Sequence, residues 1–390
     1  MSDMSSEEER LGLETARKFA QERLGPRAAQ IDAADDVPWD LVKEMHELGL
    51  VGVTLPENHG GLGASTRFFA EILEEIAAAS PVMANINMLQ SCYAEFLARF
   101  ASDEIKAHWI EAIVTGRKFI SVAMTEAGAG SDIASITTTA ELDEDGYTLS
   151  GEKQFITMGL ACDAAIVFAV SEKVADRKQR MSAYFVEADR PGFGRGRKER
   201  LLGMHGEATG SLVLERVRVP ASHRLGNAGQ GFELAEYSFN LGRIAIAALA
   251  LGIARSSIQL AAEYARERKA FGRPIGKYQG VSFPLADNFA HLEAAREIVH
   301  RAAMKRDLGQ PFFLDASIGK LLASDVAMQA SSDAIQTLGG AGYSKEYPAE
   351  RFFRDAKVMQ IYEGTNQIQR MVIGQALLRG DMDSCYRMDL

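Results

Sequence analysis

Ile136-Thr-Thr-Thr-Ala-Glu-Leu-Asp-Glu-Asp-Gly-Tyr-Thr-Leu149 is the stretch that decides the architecture. Two β-rich runs, 136–142 and 147–149, flank Asp143-Glu-Asp-Gly146. That tetrapeptide reads as a hairpin turn in which Gly146 can take a positive φ without steric cost. Further β-rich runs at 119–124, 164–170, 183–186 and 211–219 surround it, with dense Gly and Pro punctuation. Residues 118–230 are therefore expected to form a small β domain.

On both sides of this block the hydrophobic period changes from two to about 3.6. Residues 1–117 read as helical. Ser6 with Glu9 resembles a capping box ahead of Leu11, Ala16 and Phe19. Gly25-Pro26 should end or kink that first helix, and Asp36 and Pro38 announce another before Trp39. Helical segments at 68–79, 84–100 and 104–113 complete the N-terminal domain. From 231 to 390 the helices are longer: one carries Leu249, Ile253, Ile258, Leu260 and Tyr264, and others cover 281–307, 314–338 and the residues after Thr365. Long amphipathic helices with short links read as an antiparallel four-helix bundle. The fold class is thus α+β, multidomain and mostly α.

The chain has 390 residues, of which 47% are apolar, and a net charge of −10. An extended phosphate-neutralising surface is not expected, so nucleic acid is not an expected partner. The richest apolar run, 244–253, is flanked by Arg243 and Arg255 and falls short of the ~20 residues that span a bilayer, so no membrane association is expected. The acidic N-terminus lacks the pattern of a secretory or transit signal, which makes a cytoplasmic location the expectation. Cys92, Cys162 and Cys385 are far apart and suggest neither a disulfide framework nor a thiolate site. The seven histidines include no HExxH, and no metal is expected. A nucleophile elbow and a P-loop are also missing.

Four segments interrupt the pattern around them. Met124-Thr-Glu-Ala-Gly-Ala-Gly-Ser-Asp132 leaves a β run for a loop whose glycines let backbone approach a ligand. Arg266-Glu-Arg-Lys-Ala-Phe-Gly272, with Arg273 and Gln279 beyond it, is either a favourable helix terminus or a pyrophosphate clamp. Gln336-Thr-Leu-Gly-Gly-Ala-Gly342 closes a helix. In Tyr362-Glu-Gly-Thr-Asn-Gln-Ile368, Thr365 is a candidate N-cap, and Glu363 follows an apolar context that can desolvate a carboxylate and raise its pKa. General-base work near neutrality requires such a group.

Together with Gly151-Glu-Lys-Gln-Phe-Ile-Thr157 and Arg354-Asp-Ala-Lys-Val-Met-Gln-Ile-Tyr-Glu-Gly-Thr-Asn-Gln-Ile-Gln369, these segments resemble the acyl-CoA dehydrogenase family over nearly the whole chain. The resemblance implies a helical domain, a β-barrel-like domain and a C-terminal four-helix bundle in a homotetramer. It implies FAD as cofactor and an acyl-CoA thioester as substrate, oxidised to the trans-2-enoyl-CoA. Glu363 would take the α-proton, the flavin the β-hydride, and an electron-transferring flavoprotein the electrons.

By the same resemblance, Val122, Met124, Thr125 and Ser131 would line the flavin, as would Phe155, Ile156 and Thr157. Arg268, Phe271 and Gln279 would hold the FAD of a neighbouring subunit, with Gln336, Gly339 and Gly340. Thr365 and Asn366 would complete the FAD contacts. Ser131, Asn240, Arg243 and Gly364 would meet the substrate. Some relatives carry the base immediately before the arginine that matches Arg243; here that position is Gly242, which favours Glu363. Departures from the family pattern include Ala127 for Pro, Met158 for Asn, Asn240 for Asp, and Gly203-Met-His-Gly-Glu207 for Gly-x-Arg-Gly-Ser. Ala84 stands where glutaryl-type relatives place an arginine, so a dicarboxylyl substrate is not expected. The alternatives are a divergent member acting on a carrier-protein-bound acyl group or using oxygen as acceptor, and, more remotely, a non-catalytic acyl-CoA-binding protein.

Overall fold

The computed structural model describes residues 6–380. Cys385, and the side chain of Ser6 with its expected capping box, lie outside what is described. Helix α1 (Ser6–Lys18) runs into a π-helical turn (Phe19–Leu24) and a 3-10 turn (Gly25–Arg27) before α2 (Ala28–Ala34). The break expected at Gly25-Pro26 thus begins earlier, at Phe19, and Pro26 occupies the first turn of the 3-10 segment, where no N–H is needed. Helix α3 (Trp39–Glu47) follows Pro38. Helix α4 (Thr66–Ala79) is capped by Ser65, whose hydroxyl accepts from the amide of Phe68 at 3.0 Å. Helix α5 (Pro81–Phe100) begins on Ser80 with Pro81 in its first turn, and α6 (Asp103–Val114) closes the helical lobe.

Strands β1 (Ile120–Ala123), β2 (Thr139–Asp143), β3 (Gly146–Ile156), β4 (Ala164–Val170), β5 (Met181–Glu187), β6 (Phe193–Lys198), β7 (Gly210–Pro220) and β8 (Arg224–Leu225) follow. They form one sheet in the order β6-β7-β3-β2-β4-β5-β8, with β1 parallel to β4. The β2–β3 hairpin pairs Asp143 with Gly146. Gly146 has φ +146°, and a Cβ there would lie 2.2 Å from the carbonyl oxygen of Val219, so only glycine closes this turn. Strand β6, Phe-Gly-Arg-Gly-Arg-Lys, was not expected: it is a largely exposed strand whose pairing with β7, not apolar alternation, makes it a strand.

Alternation along β4 and β5 serves two cores. Ala165, Val167, Ala169, Tyr184 and Val186 face Leu149, Leu212 and Val217 inside the sheet domain. Ala164, Ile166, Phe168, Met181, Ala183 and Phe185 face the helices.

The C-terminal lobe comprises α7 (Gly231–Glu267), a short hairpin of β9 (Lys269–Ala270) and β10 (Arg273–Pro274), then α8 (Gln279–Asp307), α9 (Phe313–Leu338), α10 (Ala349–Met359) and α11 (Asn366–Arg379). By length and composition alone the 37-residue α7 is apolar enough to cross a membrane, which the 244–253 run understated. It is instead the core helix, with 78% of its apolar window buried against α4, α5, α8 and α9. Helix α10 was not anticipated, because its eleven residues carry five charges that mask the apolar period.

Candidate active site

The turn between α10 and α11 carries Tyr362-Glu-Gly-Thr365. Here Glu363 adopts φ +52° and Gly364 φ +87°, two consecutive left-handed residues. A non-glycine residue in this region is strained by about 1–3 kcal/mol, so surrounding contacts must impose it. One backbone bond spans the turn, Asn366 N–H donating to the Gln360 carbonyl at 3.0 Å, and side chains supply the rest. Gln369 Nε2 donates to the carbonyls of Glu363 (3.3 Å) and Gly364 (2.9 Å), and Lys320 Nζ donates to that of Gly364 at 2.9 Å. Thr365 caps α11, its hydroxyl accepting from the amide of Ile368 at 3.2 Å.

The turn directs the Glu363 carboxylate onto α7. A Cβ built on Gly242 would stand 2.4 Å from Glu363 Oε2, so the absence of a side chain at 242 makes room for the acid. That oxygen is buried and has no hydrogen-bond partner. Burial pushes the pKa of Glu363 from its ordinary 4.5 up to about 7, and the nearby Arg243 and Lys320 pull the other way. Among the described residues the backbone N–H of Glu363 also has no partner. A carboxylate oxygen with no donor bound to it and an unengaged amide donor on the same residue suit a substrate that brings both an acidic C–H and a carbonyl oxygen.

Arg243 is partly exposed and lies one residue beyond Gly242. Its Nη1 donates to Asn240 Oδ1 at 2.8 Å, while its Nε is buried without a partner. Glu363, Gly364, Arg243 and Asn240, singled out in sequence, therefore share one site. Asn366 is nearly fully buried, and its amide group is committed to Lys320, Ser324 and Asp325. Lys320 itself escaped the sequence reading, although a signal was present. It lies on the face of α9 that carries Ala316, Ala323, Ala327, Ala330 and Ala334, all buried, and a lysine in such a stripe is a core cation.

A second cluster lies in the β domain. Val122 is on β1, followed by Met124 and Thr125. The loop beyond them is clamped by Glu126, whose carboxylate accepts from the amides and hydroxyls of Thr137 and Thr138 and from Lys153 Nζ at 2.8 Å. Lys153 is fully buried and also donates to the carbonyl of Met124. Neither member of this ion pair was predicted, yet both occur inside the quoted motifs. The clamp leaves Ser131 exposed, and Gly128 and Gly130 face open space. Phe155 protrudes, 56% exposed, from a left-handed backbone (φ +56°) beside the buried Ile156. Ser121 donates to the carbonyl of Thr157.

The remaining predicted residues stand apart from Glu363 in the single chain. Arg268 ends α7, Gln279 begins α8, and Phe271 at the hairpin tip is 95% exposed with φ +50°. Gln336, Gly339 and Gly340 are exposed at the end of α9, and both glycines face open space.

Several departures from the family pattern have visible consequences. Met158 sits at φ +57°, a conformation an asparagine adopts more readily. Glu207 is buried, accepts from Asn85 Nδ2 at 2.7 Å, and burial pushes its pKa up to about 8. His205 lies 2.9 Å from the Asp32 carboxylate. Ala84 is fully buried on α5.

The protruding aromatic Phe155, the open glycine edges and the exposed Arg268–Phe271 tip form surfaces that fit a flat ring with a phosphate-bearing tail. Comparison with known proteins agrees. Family models match three successive parts of the chain: acyl-CoA dehydrogenase N-terminal domain at residues 6–117, middle domain at 121–217 and C-terminal domain at 229–378. An acyl-CoA dehydrogenase of Bacillus subtilis is 41% identical over 368 residues, covering 93% of this chain and 96% of that protein. The structure of butyryl-CoA dehydrogenase from Megasphaera elsdenii superposes with a TM-score of 0.93 at 39% identity, covering 97% of this chain and 100% of the other. A chain in a structure of the electron transferring flavoprotein of Acidaminococcus fermentans gives 0.93 at 37%, again over 97% and 100%. Solved structures with this fold hold FAD or FADH2. The chain belongs to the acyl-CoA dehydrogenase family and is an FAD-dependent oxidoreductase.

Proposed function

We propose that this enzyme oxidises a short-chain acyl-CoA across Cα–Cβ to the trans-2-enoyl-CoA, with Glu363 as the base. The observation that carries the reading is the half-buried Glu363 carboxylate, whose Oε2 is buried, unpartnered and laid against Gly242. FAD, when bound, supplies the acceptor for the β-hydride. A thioester α-hydrogen is too weakly acidic for an ordinary carboxylate, so charge developing on the carbonyl oxygen needs a preorganised donor. The unengaged N–H of Glu363 is available for this, next to the base that takes the proton. Raising the carboxylate's pKa toward neutrality improves it as an acceptor, and excluding water preserves that effect.

Arg243, Asn240 and Ser131 are assigned to the CoA portion and Gly364 to the thioester end. Val122, Met124, Thr125, Ser131, Phe155, Ile156 and Thr157 are assigned to the flavin, with Thr365 and Asn366 on the bundle side. Phe271 lies bare at its hairpin tip, which supports assigning Arg268, Phe271 and Gln279, with Gln336, Gly339 and Gly340, to the FAD of a neighbouring subunit in a homotetramer. The likeness to butyryl-CoA dehydrogenase supports a short acyl chain, and the likeness to a chain from an electron transferring flavoprotein structure supports that class of protein as electron acceptor. Domain boundaries are placed at 117/118 and 230/231.

The test is anaerobic bleaching of the purified flavoprotein by a panel of acyl-CoA esters graded in length and branching. Electron-transferring flavoprotein and oxygen are then compared as oxidants. Fastest bleaching by butyryl-CoA is expected, with reoxidation by the flavoprotein faster than by oxygen. Bleaching confined to long or dicarboxylyl esters would overturn the short-chain assignment.

A further inference from the structure

Lys320 is fully buried on the alanine-lined face of α9, where an apolar side chain would fill the same space without losing hydration. Its Nζ makes two hydrogen bonds, to the carbonyl oxygen of Gly364 and to Asn366 Oδ1, each 2.9 Å. Both acceptors belong to the four residues that begin with Glu363. Among the described residues no backbone N–H reaches the carbonyl of Glu363 or Gly364. The backbone closes the segment only from its ends, Asn366 N–H donating to the Gln360 carbonyl at 3.0 Å, and side chains hold the two left-handed residues between them.

We propose that Lys320 is a positioning residue for proton abstraction: its ammonium ties down the Glu363–Gly364 turn, aims the carboxylate across Gly242 and keeps the Glu363 amide facing the substrate. This rests on the reading of Glu363 as the base.

The ammonium has a second, electrostatic effect. Glu363 is faced by Arg243 from α7, by Lys320 from α9, by Cys92 and Tyr93 from α5, and by the adjoining Tyr362. Lys320 in turn is faced by Glu363, Arg243 and Asp325; burial pulls its pKa down to about 7, so its positive charge acts on the acid limb and fades above it. Arg243 is held by Asn240 on its own helix and reaches Ser317 on α9, so it bridges the two helices and, among the described residues, makes no bond to the turn. Lys320 is tethered to the turn itself, so it couples the position of the carboxylate to its charge.

Lys320→Met, Lys320→Gln and Glu363→Gln are compared with wild type as FAD-loaded proteins. FAD content, thermal melting, butyryl-CoA affinity and the anaerobic bleaching rate are measured from about pH 6 to 9. Lys320→Met is expected to retain FAD and thioester affinity, to bleach roughly 30-fold more slowly, and to show its acid limb moved upward by about one pH unit. Lys320→Gln, which keeps a donor but no charge, is expected to recover much of the alkaline plateau and to keep the displaced limb. It also serves if the methionine variant does not fold. An unmoved acid limb in the folded variants overturns the proposal, and so does a rate loss that only tracks lost FAD. If Glu363→Gln still bleaches, the base assignment itself fails. If Glu363→Gln is silent and the Lys320 variants match wild type, only the present proposal fails.

Discussion

Glu363 Oε2 sits so close above Gly242 that a methyl group on that glycine would stand 2.4 Å from it. The two residues are 121 positions apart in sequence, and neither has this relationship without the other's backbone. Gly242→Val should fold, since α7 is well supported by its neighbours, but it must push the carboxylate aside. A displacement of about 1 Å costs on the order of 100-fold in rate. The measurement is kcat with FAD content alongside; unchanged kcat in a fully loaded Gly242→Val would show that the acid has another productive position.

Ionisation of Glu363 should govern the acid side of the pH profile. The base works when deprotonated, so kcat/KM is expected to rise with pH through about 7 and to level above it. Glu363→Gln should abolish this limb and cut turnover by about 100-fold to 10000-fold while FAD stays bound.

The same shift has a stability consequence of opposite sign. A carboxylate whose folded pKa exceeds its unfolded value opposes folding as pH rises from 4.5 toward about 7. Glu363→Gln should therefore be more stable than wild type at pH 8, by at most about 3 kcal/mol, and the gap should close below pH 4.5. Denaturant melts at the two pH values test this; a variant less stable at pH 8 would contradict it.

Lys153→Met leaves Glu126 buried without its cation. Such half-broken pairs cost about 3–5 kcal/mol. Because Glu126 anchors the loop that carries Thr125 and Ser131, the variant should lose FAD more readily as well as melt earlier. In the wild type, burial raises the pKa of Glu126, but Lys153 and the two threonines outweigh it and hold it down at about 2. Its contribution to stability is thus complete above pH 4.5 and lost as pH falls toward 2. Retention of FAD by Lys153→Met after gel filtration would argue against the anchoring role.

Phe271→Ser should leave the melting of apo-protein almost unchanged, because the ring is 95% exposed and packs on little in its own chain. If the hairpin serves a neighbouring subunit, FAD dissociation should accelerate about tenfold or more. Equal off-rates in the two proteins would count against the subunit assignment.

Much of this was legible from residues alone, for identifiable reasons. The 164–170 strand was bounded correctly because it is apolar throughout and buried on both faces, and Gly146 announced its turn through a conformation other residues avoid. Strand β6 was not legible, because its residues carry no alternation and only the β7 partner orders them. Helix α10 was hidden by its charges. At the site, Glu363 stood out by its apolar approach, but its left-handed backbone did not, since that is imposed by Lys320 from α9 together with Gln369 of the helix that follows the turn. The Glu126–Lys153 pair was invisible because two charged residues in a β region read as solvated until the fold buries them together.

The double duty of β4 and β5 constrains how this protein can be divided. Cutting the sheet domain free at its ends would strip the helix-facing row of Ile166, Phe168, Met181 and Phe185, and the fragment would present that oily surface to other chains. Chimeras that trade the middle segment between relatives must match these residues to the helices that receive them, so a workable crossover has to move the strands together with their helical neighbours.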